Sequence, residues 1–170
     1  MADSERELGR RACVSTHPCS QSGRRYVNRL ASLVHIMKGR RSLVSGLGVL
    51  ELDSSTLSLW DASGGSAFAV PVEAVQARPT KRLAVHRYFF QIHATDRWWY
   101  LSGAIQTRYS RPATRRLAER FEVPERAPRP TGMSVEAYTR LIKNPNTHQV
   151  VWAASWLETL GRAGAQVDGR

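Results

Sequence analysis

The chain has 170 residues, 25 Lys+Arg against 14 Asp+Glu, and a formal net charge of +11. That length holds one domain with appendages or two very small ones, and it buries enough surface to fold without a disulfide or a metal. Two cysteines exclude a disulfide framework, and 42% hydrophobic residues exclude wholesale disorder.

Residues 1–25 are polar, small and irregular, and read as a disordered basic arm. Within 26–38, Tyr26, Val27, Leu30, Leu33, Val34 and Met37 fall at helical spacing, which predicts a short amphipathic helix. Met37 also opens Met37-Lys38-Gly39-Arg40-Arg41 and is a second candidate start, with 1–36 as an upstream extension. Arg24-Arg25 precedes an apolar stretch too short for an export leader. No run approaches the ~18–20 residues of a spanning helix, so a cytoplasmic location is expected.

From 43 to 103 the period becomes two. Leu50 and Leu52 share a face, as do Leu57 and Leu59 after the turn Asp53-Ser54-Ser55-Thr56. Asp61–Ser66 is a loop. Phe68, Val70 and Val72 alternate until Pro71 ends the strand, and Arg78–Arg82 reads as a basic loop. Tyr88, Phe90 and Ile92 form the next strand, and Trp98–Leu101 the last.

Past Gly103 the spacing is helical again. Ser110 and Pro112 open a helix with Ala113, Leu117, Ala118 and Phe121 on one stripe. Residues 124–132 read as a stiff Pro-rich linker. A helical hairpin over 133–161 follows. Ser134 caps its first helix, with Val135, Tyr138, Leu141 and Ile142 inward. Thr147 caps its second, with Val150, Ala153, Ala154, Leu157 and Leu160 inward and Trp152 and Trp156 widening the face. Residues 162–170 are a loose tail.

Gly48-Val49-Leu50-Glu51-Leu52, Leu57-Ser58-Leu59, the Phe68–Val75 element with Pro71, and two aromatic strands before an amphipathic helix stand in one succession. This succession resembles the pleckstrin-homology superfold, in particular its bacterial GRAM-like members, over about residues 40–123. The resemblance implies a mainly β fold: a PH-like antiparallel β-barrel or sandwich capped by an amphipathic helix, here with a C-terminal helical hairpin added. Leu117 and Phe121 would be the plug. Phosphoinositide-binding members carry bases around the first turn; Asp53–Thr56 has none, so the resemblance does not carry lipid binding to this chain.

Charge is unevenly placed. Residues 43–103 hold five basic and five acidic side chains, so the excess sits on the flanks. Candidate anion or nucleic-acid contacts are Lys38, Arg40, Arg41, Arg78, Lys81, Arg82, Arg111, Arg115, Arg116 and Arg120. Twenty-two arginines against three lysines also match the codon bias of a GC-rich genome. By alternation at least one ring per aromatic strand faces outward, so Phe89, Trp98 and Tyr100 are candidate partner-facing aromatics, along with Trp152 and Trp156. The C-terminal hairpin and the 26–37 helix are expected to cover the outward rings.

Cys13, His17 and Cys19 have irregular spacing for zinc. His86 and His93 have no carboxylate or nucleophile at a recognised spacing, and no phosphate loop or dinucleotide fingerprint is present. The expectation is a protein without catalytic activity or cofactor: an interaction or adaptor module of a bacterial cell, binding a protein or peptide. Nucleic-acid binding through the basic flanks is the alternative, and peripheral binding to an anionic membrane surface through 24–41 the second alternative.

Overall fold

The computed structural model describes residues 29–37, 44–81, 88–104, 112–124 and 126–168. Over these residues the chain is mainly β, with strands β1 (Arg29–Met37), β2 (Val44–Asp53), β3 (Thr56–Asp61), β4 (Ser66–Pro71), β5 (Gln76–Lys81), β6 (Tyr88–Ala94), β7 (Arg97–Gly103) and β8 (Gln166–Val167). Helices α1 (Pro112–Arg120), α2 (Val135–Lys143) and α3 (Pro145–Ala163) complete it.

The strands form one mixed sheet in the order β4-β3-β2-β1-β7-β6-β5-β8. All pairings are antiparallel except β5 with β8. The sheet does not close, because β4 and β8 are its edges. Alternation sets the register: Leu50 faces Leu59, Leu52 faces Leu57 and Leu59 faces Phe68, all on the inner face and all nearly or fully buried. The β6–β7 turn is Thr95-Asp96 with both φ angles positive, the backbone that matches a tight hairpin to strand twist.

Residues 29–37 are a strand, not the helix expected over 26–38, and Tyr26, Val27, Asn28 and Lys38 lie outside the described residues. The apolar run has no alternation because both faces are covered. Val34 joins the inner core, while Ala31 and Leu33 join an outer cluster with Leu117, Ala118 and Phe121. β1 pairs with both β2 and β7 in the middle of the sheet. A chain begun at Met37 would lack that strand, and residues 29–37 are strand rather than a membrane-surface helix.

The helix inside the sheet is α3, not the expected plug. Trp152, Ala153, Trp156 and Leu160 pack with Val34, Leu50, Phe90, Ile92 and Leu101 in the inner core. Leu117 of α1 and Phe121 just after it lie instead on the outer face, against Val49 and Trp60 of β2 and β3. The face of α3 is also rotated from its expected aliphatic stripe. Val150 and Ala154 are exposed, while the two tryptophans are buried. The interior between twisted strands is wide, and large rings fill it where β-branched side chains would leave voids. Trp156 Nε1 donates to Ser32 Oγ at 3.0 Å, which satisfies two buried polar groups at once.

The Pro-rich stretch is not a free spacer. The Tyr138 hydroxyl donates to the Ala127 carbonyl, Ser155 Oγ donates to the Pro128 carbonyl, and Thr131 N–H donates to Glu158 Oε2 at 2.9 Å. Residues 126–132 are thereby strapped to α2 and α3. Ser134 Oγ caps α2 as expected, accepting from Ala137 N–H at 3.1 Å. Thr147 does not cap α3, which begins at Pro145; its hydroxyl donates to the Leu141 carbonyl at 2.6 Å. The tail expected to be loose contains β8, held by Gln166 N–H on the Val75 carbonyl and Asp168 N–H on the Ala77 carbonyl.

His148, near the start of α3, is buried, and its Nδ1 meets no hydrogen-bond partner among the described residues. Burial holds its pKa below the ordinary 6.5. The unfolded chain therefore takes up a proton at a higher pH than the folded chain does. Stability should be intact above the ordinary value and fall progressively as pH drops below it toward the folded value. Thermal melts from about pH 7.5 to about pH 5 should fall less steeply for His148→Gln than for the wild type; parallel curves would exclude this origin.

Candidate functional site

The stretch 78–82, expected as a loop, is strand as far as Lys81, and Arg82 lies outside the described residues. β8 pairs β5 only at Gln76 and Ala77, so Pro79 sits where the outer side of the strand has no partner and its missing N–H costs nothing. This placement carries Arg78 onto the outer face of the sheet. Arg78 lies opposite Gln91, Gln91 opposite Tyr100, and His93 opposite Trp98. These residues share the outer face, while Ala77, Phe90, Ile92, Trp99 and Leu101 are buried on the inner one.

The expected alternation of rings holds for the side chains described. Trp99 is buried against Phe68, with centroids 5.4 Å apart, whereas Trp98 and Tyr100 are half-buried on the outer face. Among the described residues, the expected covers do not lie over them. α3 fills the inner side, residues 29–37 are a strand of the sheet, and α1 sits over β1, β2 and β3. Trp152 and Trp156, expected as partner-facing, are 3% and 0% exposed and belong to the core.

The Arg78 guanidinium lies 4.0 Å from the centre of the Trp98 ring. The His93 ring meets the same indole at 5.1 Å, tilted by 53°. Arg78 Nε and Nη2 both donate to Gln91 Oε1, at 3.1 and 3.0 Å. Gln91 is 2% exposed, and its own amide N–H donates to Thr80 Oγ1. Among the described residues the ion pairs are Arg29 with Glu51, Arg29 with Glu122, and Arg162 with Glu158; none includes Arg78.

The other basic candidates do not converge here. Arg115, Arg116 and Arg120 are exposed on α1, over the opposite half of the outer face. The Arg120 guanidinium lies beside the Gly64 backbone, where a Cβ would stand 2.0 Å from its Nη1, and 5.5 Å from the centre of the Phe121 ring. Lys38, Arg40, Arg41, Arg82 and Arg111 lie outside the described residues, and Lys81 and Phe89 are placed only by their backbone pairing. Gln91 went unmarked in the sequence. The available signal was a lone amide between Phe90 and Ile92, on the face opposite theirs.

A cleft of about 240 Å³ is lined by Arg29, Leu30, Ala31, Phe121, Glu122 and Pro124. Its charge is internally matched. Arg29 Nε donates to Glu51 Oε1 at 2.8 Å, its Nη1 donates to Glu122 Oε2 at 2.9 Å, and Glu51 Oε2 accepts from Trp60 Nε1 at 2.9 Å. The Glu51 hydrogen bond raises the pKa of Arg29 above its ordinary value, as a structural clamp between β1, β2 and the end of α1 would. No group of three or more metal-ligating side chains occurs among the described residues. Cys13, His17, Cys19 and His86 lie outside them.

A comparison with known protein families gives no match, and a comparison with curated proteins gives none. Among the described residues no helix is long and apolar enough to cross a membrane. What the chain's own geometry defines is a mainly β protein whose sheet carries a helix on each face and leaves the outer side of β5–β7 with neither.

Proposed function

We propose that the chain is a non-catalytic interaction module that binds a protein or peptide partner on the outer face of β5, β6 and β7. The observation that carries this reading is the half-exposed Trp98 and Tyr100 beside Arg78, on a part of the sheet that neither α1 nor α3 covers. Tryptophan, tyrosine and arginine together are the residue types that dominate protein interfaces.

The pleckstrin-homology-like reading is retained as part of the proposal. Its support is the meander of β1 to β7 with β1 paired to β7, a break between β4 and β5, and a helix inside. In this chain the inner helix would be α3 rather than the one directly after the last barrel strand. Superfolds host many functions, so the fold alone carries none.

Selection of a random-peptide library on the wild-type chain and on a Trp98→Ala/Tyr100→Ala variant tests the reading. Peptides enriched on the wild type and lost on the folded variant are expected; equal enrichment, or none on either, overturns it. Nucleic-acid binding is the second reading, favoured by the guanidinium stacked on Trp98, a pairing that also suits an unpaired base. An oligothymidylate whose affinity falls steeply with salt, and which Trp98→Ala weakens, would replace the first reading with this one.

A further inference from the structure

Among the described residues, Arg78 is a cation held in place by neutral groups. Its Nε and Nη2 rest on the buried Gln91 carbonyl, its face rests on Trp98, and Gln91 is in turn fixed to Thr80. A guanidinium has five N–H donors, and two are used on Gln91, which leaves three without a described acceptor. Among the described side chains of β5, β6 and β7, those on Arg78's face are Gln76, Thr80, Gln91, His93, Trp98 and Tyr100, with no carboxylate among them. Asp168, which follows β8 and donates its N–H to the Ala77 carbonyl, has its carboxylate on Gln166 Nε2 and forms no ion pair with Arg78. An arginine in a protein serving only as a surface solubiliser is mobile and hydrated. This one is pre-oriented, its charge has no ion-pair partner among the described residues, and a half-buried apolar ring lies beside it.

We infer that Arg78 is an anion receptor and that the partner's anionic group is the carboxylate of an acidic peptide, with an adjoining apolar side chain laid on Trp98 and Tyr100. A carboxylate matches the donors and the charge. It is a planar monoanion that a guanidinium edge receives through parallel N–H···O bonds, and among the described residues Arg78 is the arginine the geometry sets there. A phosphorylated side chain carries nearly two charges and is normally met by clustered arginines, whereas Arg115, Arg116 and Arg120 stand on α1 away from this face. In this arrangement Gln91 is a positioning residue: it holds the guanidinium and does not itself reach the ligand.

The inference rests on the outer face of β5–β7 being the binding surface, and its test separates the two. Peptides selected on the wild-type chain are remade with each Asp or Glu changed to Asn or Gln, and with phosphoserine in place of the acid. Affinities are read by fluorescence anisotropy against the wild type, Arg78→Gln and Gln91→Glu. The neutral peptides should lose roughly 10- to 100-fold on the wild type, the range of a hydrogen bond to a charged group. Arg78→Gln should show the same loss for the acidic peptides. Gln91→Glu keeps the arginine but gives it an internal carboxylate, so it should weaken the acidic peptides while leaving the neutral ones unchanged, a pattern that loss of fold would not produce. Selected peptides that bind equally with and without their acid would overturn the receptor and leave the binding surface standing. Tighter binding of the phosphoserine peptides would overturn the carboxylate assignment. No selectable peptide would overturn both.

Discussion

Replacing Trp156 with alanine is expected to cost about 3–5 kcal/mol of unfolding free energy, the range for emptying a core tryptophan site. Trp156 is fully buried, lies 6.5 Å from both Phe90 and Trp152 by ring centroid, and holds Ser32 on the central strand through its indole N–H. A domain of this size has of order 5–15 kcal/mol in total, so the variant should be close to unfolded at ambient temperature. Urea denaturation followed by far-ultraviolet circular dichroism measures it. The result also decides what α3 is. If residues 133–161 were an appended hairpin, the substitution would melt helix and leave the strand signal intact. With α3 inside the sheet, helix and strand signals must be lost in one transition, and biphasic unfolding would contradict the architecture.

The second large effect is expected at Gly103, where the strand backbone comes against the face of Trp152. A Cβ there would lie 2.8 and 2.9 Å from Cδ2 and Cγ of the indole. Neither side yields easily: β7 is paired on both edges, and Trp152 is wedged against Phe90 with centroids 5.1 Å apart. Gly103→Ala should therefore cost about 1–3 kcal/mol by overpacking. The cost should nearly vanish in a Trp152→Leu background, because the smaller side chain vacates the space the methyl group needs. A double-mutant cycle by urea denaturation should return a coupling of about 1–2 kcal/mol. Strict additivity would mean that the glycine is needed for something other than the tryptophan.

Much of the sheet was legible in the sequence because one face of β2, β3, β6 and β7 is apolar at every second residue, as at Leu50/Leu52, Leu57/Leu59 and Phe90/Ile92. The central strand was not legible, for a physical reason. With α1 on one side and the core on the other, β1 has no polar face, and Leu30, Leu33, Val34 and Met37 happen to fit a helical period. The position of α3 was hidden by the same ambiguity. Its aliphatic stripe through Val150 and Ala154 looked like the buried face, and the two tryptophans looked like its margin. The site was half legible. Arg78, Trp98 and Tyr100 were each marked, but Arg78 was assigned to a loop, so the strand register that brings it across Gln91 to Trp98 could not be drawn.

The Ser32–Trp156 hydrogen bond joins residues 124 apart in sequence, and β1 meets β7 across most of the chain between them. During synthesis the sheet's apolar interior has nothing to close on it until the second half of α3 has left the ribosome. Cooperative folding of this domain is thus a late event with a high contact order. A nascent chain stalled before Leu160 should be a chaperone client and a protease target, whatever strands it has already made.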